Sequence, residues 1–259
     1  MIVDLHNHTT RCNHAEGSME EYVLQAIENG TRYFGFSEHA YMDFDPGYRM
    51  KKEEMAGYEA EIARLRNQYA DKITLLTAYE VDYLPGHMDP DVLEASVDYL
   101  IGSVHFLDGW GFDNPEFIGG YKDRDIDTIW REYFEAVAKM AESRLFDIVG
   151  HLDLIKVFKF MPKSDMTPVF RKTLEAIKES NMSIELNPAG LRKKVGEPYP
   201  SPKLLQMAYE MEIPITFGSD AHKPRDVGFG SSEILKLARD TGYRNCAVYF
   251  SRELKMINF

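Results

Sequence analysis

The stretch Met1-Ile2-Val3-Asp4-Leu5-His6-Asn7-His8 runs from a short apolar strand straight into two histidines one residue apart. Alternate residues of a strand share a face, so His6 and His8 form a natural two-tooth chelate. The pattern recurs down the chain. Ser37-Glu38-His39, Ser103-Val104-His105, Gly150-His151 and Ser219-Asp220-Ala221-His222 each close a short strand-like run, Ala78-Tyr79-Glu80 closes another, and His14 follows soon after His8. Of the eight histidines, only His87 lies outside this scheme, in the turn Leu84-Pro85-Gly86-His87. Neutral imidazole is a good nitrogen donor near pH 7. So many donors at the same end of successive strands suit a site for several metal ions, whereas structural histidines would be scattered.

Working outward, the chain alternates. Strands are expected at Met1 to Leu5, Tyr33 to Ser37, Ile73 to Val81, Tyr99 to Val104, Phe146 to Gly150, Ser183 to Leu186 and Ile213 to Gly218. Helical patterns separate them. Ser18-Met19-Glu20-Glu21 reads as a capping box whose helix runs to Gly30. Met55, Tyr58, Ile62, Leu65 and Tyr69 recur at helical spacing, as do Ile129, Trp130, Tyr133, Val137 and Met140. Thr167-Pro168 and Ser201-Pro202 place a cap residue before a proline. Ser232 or Asp226 is expected to start the last long helix, which ends near Gly242.

Such alternation implies a parallel sheet with right-handed crossovers. Ligands on so many strands favour a closed barrel, because an open sheet concentrates its site at one switch point. The 259 residues suit one barrel domain spanning 1–259. The segment from Leu107 to Asp125, rich in Gly, Asp and aromatics, reads as an active-site loop.

Composition narrows the function. The net charge is −12, and the compact basic run is Arg192-Lys193-Lys194. Nucleic acid needs a broader cationic surface, so this run fits a single phosphate group better. No apolar run approaches the roughly 18 residues of a membrane span. Met1 leads into a strand with no basic n-region or long apolar h-region, and the expected location is the cytoplasm. Cys12 and Cys246 form no CxxC pair. Cys12 lies between His8 and His14, but nearby imidazoles suffice as ligands. No GxSxG, Walker loop or GxGxxG competes.

The array His6-x-His8, His14, His39, Glu80, His105, His151 and Asp220-x-His222 resembles the polymerase and histidinol phosphatase (PHP) family over essentially the whole chain. That resemblance implies a distorted (β/α)7 TIM-like barrel with three divalent transition metal ions (Zn, Mn or Fe) at the C-terminal ends of its strands. It implies that His6, His8, Glu80 and Asp220 hold the first ion. Glu80 bridges to a second held by His105 and His151, and His14, His39 and His222 hold the third. Ser103-Val104-His105-Phe106, Asp108-Gly109-Trp110, Gly150-His151-Leu152-Asp153 and Glu185-Leu186-Asn187 look like the histidinol-phosphatase branch. The implied activity is hydrolysis of a small phosphomonoester, L-histidinol phosphate, in histidine biosynthesis, with no nucleic-acid or membrane partner. Arg192 is the expected phosphate contact, and Lys156 is the nearest basic residue for a second. Glu80, Asp220 and His222 are the expected catalytic groups, with Asp220 or His222 protonating the leaving alkoxide. Asp113 and Glu116, with Trp110, Phe112 and Phe117, are candidates to receive a cationic substrate. The alternatives are a phosphodiesterase or nuclease on the same metals, and a non-catalytic metal-binding regulatory module. An amidohydrolase shares the opening HxH, but Glu80, His14 and His39 argue against it.

Overall fold

The computed structural model describes all residues, 1–259. Eleven strands occur in chain order: β1 (Val3–Asp4), β2 (Tyr33–His39), β3 (Thr74–Asp82), β4 (Tyr99–Ser103), β5 (Phe106–Leu107), β6 (Trp110–Gly111), β7 (Ile148–Val149), β8 (Ser183–Leu186), β9 (Ile215–Phe217), β10 (Asn245–Phe250) and β11 (Glu253–Asn258). The helices are α1 (Met19–Glu28), α2 (Met55–Gln68), α3 (Pro90–Leu93), α4 (Ile126–Glu142), α5 (Thr167–Glu179), α6 (Pro202–Glu210) and α7 (Ser231–Thr241). All seven expected strands are present and pair in parallel in the order β1-β2-β3-β4-β7-β8-β9.

Closure comes from the two ends of this order. Leu5 N–H donates to the Phe217 carbonyl (2.8 Å), His8 N–H to Ala221 (2.9 Å) and Asp220 N–H to His6 (2.7 Å). The buried Asp4 carboxylate accepts from Ser219 N–H at 2.8 Å and from the Asn7 amide at 3.1 Å. These bonds turn a seven-stranded sheet into a nearly closed barrel.

Side-chain alternation sorts each strand into two faces. Phe34 and Phe36 of β2 join the helix-facing core, while Gly35 lies against the Tyr99 hydroxyl and Leu5 inside the barrel. His39 has the parity of Gly35 and therefore faces inward at the strand's end. Along β3, Leu76 and Ala78 belong to the inner cluster and Leu75 and Tyr79 to the outer one. Glu80 and Asp82 continue the inner row. The expected fold is thus shown, and His39 and Glu80 sit where period-two alternation aims them, while the other ligands follow the strand ends.

Local corrections concern ends and caps. The capping box of Ser18 and Glu21 forms as expected. Thr167 is the first helical residue and not the cap, which is Met166. The last helix begins at Ser231 after Gly230, whose φ of 63° suits glycine; Asp226 closes a separate short turn, Pro224–Asp226. The antiparallel hairpin β10–β11 was not expected. It packs beneath the barrel, away from the ligands: Thr216 Oγ1 donates to Ala247, and Tyr249 Oη to the Asp147 carbonyl (2.9 Å each). The segment from Leu107 to Asp125 forms the end of the β5–β6 hairpin and a short helical turn, Pro115–Tyr121. No helix is long and apolar enough to cross a membrane.

Candidate metal centre

Three groups of donors meet at the C-terminal end of the barrel. His6, His8 and Glu80 form one, Glu80, His105 and His151 a second, and His14, His39 and His222 a third; within each, the donor atoms lie within 4.8 Å of one another. Asp220 joins the first, its Oδ1 3.4 Å from His8 Nε2. Glu80 divides its oxygens between groups. Oε2 lies 3.3 Å from His6 Nε2, 3.6 Å from His8 Nε2 and 2.9 Å from His39 Nδ1, while Oε1 lies 2.9 Å from His151 Nε2 and 3.9 Å from His105 Nε2. That is the disposition of a bridging carboxylate. His87 stands apart, paired with Asp43 at 2.7 Å on the surface.

The backbone is bent to reach this geometry. His151 (φ 23°) and Asp220 (φ 51°) are non-glycine residues in the left-handed region, at the ends of β7 and β9. Such conformations cost on the order of 1–3 kcal/mol and persist where the surroundings over-determine them.

A second ring of acceptors fixes the imidazoles. His6 Nδ1 meets Glu185 Oε1 at 2.7 Å, His105 Nδ1 meets Asp82 Oδ1 at 2.6 Å, and His8 Nδ1 meets Glu38 Oε1 at 3.4 Å. His14 Nδ1 and His222 Nδ1 face the carbonyls of Cys12 (2.8 Å) and Asp220 (3.2 Å). With Nδ1 engaged, Nε2 is left as the donor atom. The sequence reading missed Glu38, Asp82 and Glu185 as supports. Asp82 was recoverable from its spacing of two from Glu80, and Glu38 and Glu185 from being charged residues on otherwise buried strands.

Buried polar atoms normally have partners. Here His6 Nε2, His8 Nε2, His151 Nδ1 and His222 Nε2 are buried without a hydrogen bond. Except for His151 Nδ1, these atoms point among the donor groups, so the donor set fits divalent cations. Electrostatics agree. Burial disfavours charge on His6, yet Glu185, Glu80 and Asp220 raise it well above the ordinary histidine range. His8, opposed by burial but bonded to Asp220 and Glu38, rises to about 9, and His105, beside Asp82, to about 10. Burial also works against Glu80, but His6 and His39 hold it well below the carboxylate range. The carboxylates thus draw positive charge to the cluster. His8, Cys12 and His222 form a further trio with donor atoms within 4.8 Å, but the Cys12 thiol is buried, donates to the Thr9 carbonyl at 3.1 Å and is pushed up by burial, which disfavours the thiolate a metal takes.

A cavity of about 720 Å³ opens over the donors, lined by His14, His39, Glu80, His105, His151, Asp220 and His222. Arg192 is in its wall. Its Nη2 donates to the carbonyls of Ser219 (3.1 Å) and Asp220 (3.0 Å), while Nη1 makes no hydrogen bond. Asp113, half-buried, and the exposed Glu116 and Phe117 also line the cavity. Two expectations fail. Lys156 is not in the wall: its buried ammonium pairs with Asp153 at 3.0 Å and donates to the Pro198 carbonyl at 2.8 Å. Phe112 is fully buried, and Trp110 donates to the Phe117 carbonyl, so both serve loop packing.

A parallel barrel carrying imidazole and carboxylate donors at its strand ends defines a metal-type hydrolase barrel. The profile of the PHP domain matches residues 4–189 and that of a PHP-associated segment residues 202–241. The chain belongs to the PHP family. It is 39% identical to a protein of Deinococcus radiodurans named probable histidinol-phosphatase, covering 94% of this chain and 95% of that one. Identity to the histidinol-phosphatase of Bacillus subtilis is 28%, over 90% and 98% of the two chains. The fold is similar to the crystal structure of histidinol phosphate phosphatase from Lactococcus lactis complexed with zinc, L-histidinol and phosphate. That likeness has a TM-score of 0.80 at 20% identity and covers 98% of each chain.

Proposed function

We propose that this chain is a metal-dependent phosphomonoesterase that hydrolyses L-histidinol phosphate to L-histidinol and phosphate in histidine biosynthesis. The observation that carries this reading is the convergence on one cavity of three donor groups and an arginine whose Nη1 makes no hydrogen bond and lies 3.9 Å from Asp226 Oδ2. The names of the relatives, and the zinc, L-histidinol and phosphate of the L. lactis complex, support it.

In this reading His6, His8, Glu80 and Asp220 hold one ion, Glu80, His105 and His151 a second, and His14, His39 and His222 a third. Zinc suits this donor set, as do manganese and iron. Such ions supply Lewis acidity toward phosphoryl oxygen and acidify water for attack on phosphorus. Arg192 offers Nη1 to a phosphoryl oxygen while Nη2 stays anchored on two carbonyls, so its placement precedes binding. Asp220 or His222 delivers the proton to the leaving alkoxide oxygen. Asp113 pairs with the substrate's ammonium, and Glu116 adds attraction at the mouth.

The cations of the wall are Arg49, Arg192 and Lys193; Arg49 is paired with Asp82 at 2.8 Å, and Arg192 lies more loosely, 3.9 Å, from Asp226. That supply matches one phosphate and not a nucleic-acid backbone. The test is phosphate release from L-histidinol phosphate by chelated and by metal-restored protein. The reading expects loss on chelation and recovery with a divalent ion; equal rates in both states reject it.

A further inference from the structure

Arg49 is a charged residue the mechanism above does not use, although it is only 4% exposed and lies in the cavity wall. Its Nη1 donates to Asp82 Oδ2 at 2.8 Å, and the other oxygen, Oδ1, meets His105 Nδ1 at 2.6 Å. Both carboxylate oxygens are therefore committed, one to each side. Nε donates to the Asp45 carbonyl at 3.0 Å, and the guanidinium lies 6.0 Å from the Phe106 ring centre.

The segment bearing Arg49 is tied to the donor set at both ends. Met50 N–H donates to the His39 carbonyl at 3.1 Å, and the Asn13 amide reaches the Gly47 and Arg49 carbonyls at 3.3 and 3.5 Å. Arg49 thus links the loop carrying His14 and the end of β2 at His39 to the ends of β3 and β4.

We infer that Arg49 is a positioning residue: through Asp82 it sets the orientation of His105 and so shapes the donor group Glu80–His105–His151. An unrestrained Asp82 side chain rotates about two bonds and carries the imidazole with it. Clamped by Arg49, it presents one oxygen in a fixed place, and His105 Nε2 is directed toward Glu80. A direct role on the substrate phosphate fits less well, because two of the three guanidinium nitrogens are already bonded and the charge is matched by Asp82. Supports of this kind typically alter metal affinity by about 10- to 100-fold.

This inference rests on the proposed assignment of metal ligands, and the experiment separates the two. Metal content is measured by elemental analysis after equilibration with graded chelator, for the full chain and for Arg49→Ala, Arg49→Lys and Asp82→Asn. Cobalt-loaded samples are followed by visible absorption, and kcat and KM are determined for each protein. The expected result for Arg49→Ala is one ion lost at about 10- to 100-fold lower chelator with the others retained, an altered cobalt spectrum, and a fall in kcat larger than the rise in KM. Arg49→Lys regains part of the affinity, because an ammonium still bonds Asp82 Oδ2, and Asp82→Asn loses at least as much as Arg49→Ala. Unchanged metal retention and spectrum in Arg49→Ala and Asp82→Asn overturn the inference, and a raised KM alone would reassign Arg49 to the phosphate. Should Arg49→Ala fail to fold, Arg49→Lys and Asp82→Asn decide by the same readouts. A wild-type chain that binds no metal at all rejects the ligand assignment itself.

Discussion

His6 and Glu185, separated by 179 positions in the chain, meet at 2.7 Å between Nδ1 and Oε1. The other oxygen of Glu185 accepts the backbone N–H of His151 at 2.8 Å and the Asn187 amide at 3.1 Å. One buried carboxylate thereby aligns donors of two groups, His6 by its ring and His151 by its main chain. Gly218 makes room for it: a Cβ there would lie 2.1 Å from Glu185 Oε1 and 2.4 Å from the His6 Cβ.

Glu185→Ala is therefore expected to weaken retention of two ions, not one. Each loss should be about 10- to 100-fold, as for other supports of metal ligands. Chelator titration with elemental analysis reads this directly. Loss of a single ion would confine Glu185 to His6.

Glu80 faces both buried groups, whereas His14 serves one group at the exposed rim. Glu80→Gln should cost more activity than His14→Ala, by about tenfold or more, since removing a bridging charge disturbs two ions. Steady-state rates on metal-restored protein check the order. Small and equal losses would speak against bridging.

Arg192→Ala should raise KM for the phosphomonoester and lower kcat as well, because the charge on the phosphoryl oxygens changes in the transition state. A loss of about 1.5–3 kcal/mol, the worth of a hydrogen bond to a charged group, corresponds to roughly ten- to a hundredfold in kcat/KM. Unaltered kinetics would make its bonds to Ser219 and Asp220 purely structural.

Metal uptake should release protons near neutral pH. His8 and His105 have pKa values raised to about 9 and about 10 by their carboxylate partners against the opposing effect of burial, and His6 is raised too. Raised pKa values favour the protonated imidazoles before metal arrives, and these must deprotonate to bind it. Protons compete more strongly as pH falls below these values, so affinity rises with pH. Calorimetry in buffers of different ionisation enthalpy measures the release; a buffer-independent enthalpy would contradict it.

The barrel was legible from strand-helix alternation, the donors from imidazoles and carboxylates recurring at strand ends, and their grouping from the family resemblance. His6 and His8 share one face by alternation, and His39 and Glu80 close strand-like runs, all visible without tertiary knowledge, whereas Asp82 was not read. What stayed hidden depends on contacts distant in sequence. Lys156 follows the fifth barrel strand as expected, but Asp153 and the Pro198 carbonyl capture its ammonium behind the cavity wall. The hairpin β10–β11 reads as ordinary alternating chain, and only the barrel floor at Thr216, Asp147 and Ser183 gives it a place to pack. Phe112 and Trp110 share the composition of a binding loop, yet the aromatic neighbours Tyr133 and Tyr121 hold them.

The central claim is tested most directly by kcat/KM of one metal-restored preparation for L-histidinol phosphate, a neutral aryl phosphate and a dinucleotide. Pairing of Asp113 with the ammonium predicts that L-histidinol phosphate leads the aryl ester by roughly ten- to a thousandfold, a few kcal/mol of charge pairing. The dinucleotide should be cleaved slowest of the three. A dinucleotide hydrolysed fastest would contradict the phosphomonoesterase assignment and identify a phosphodiesterase on the same metals.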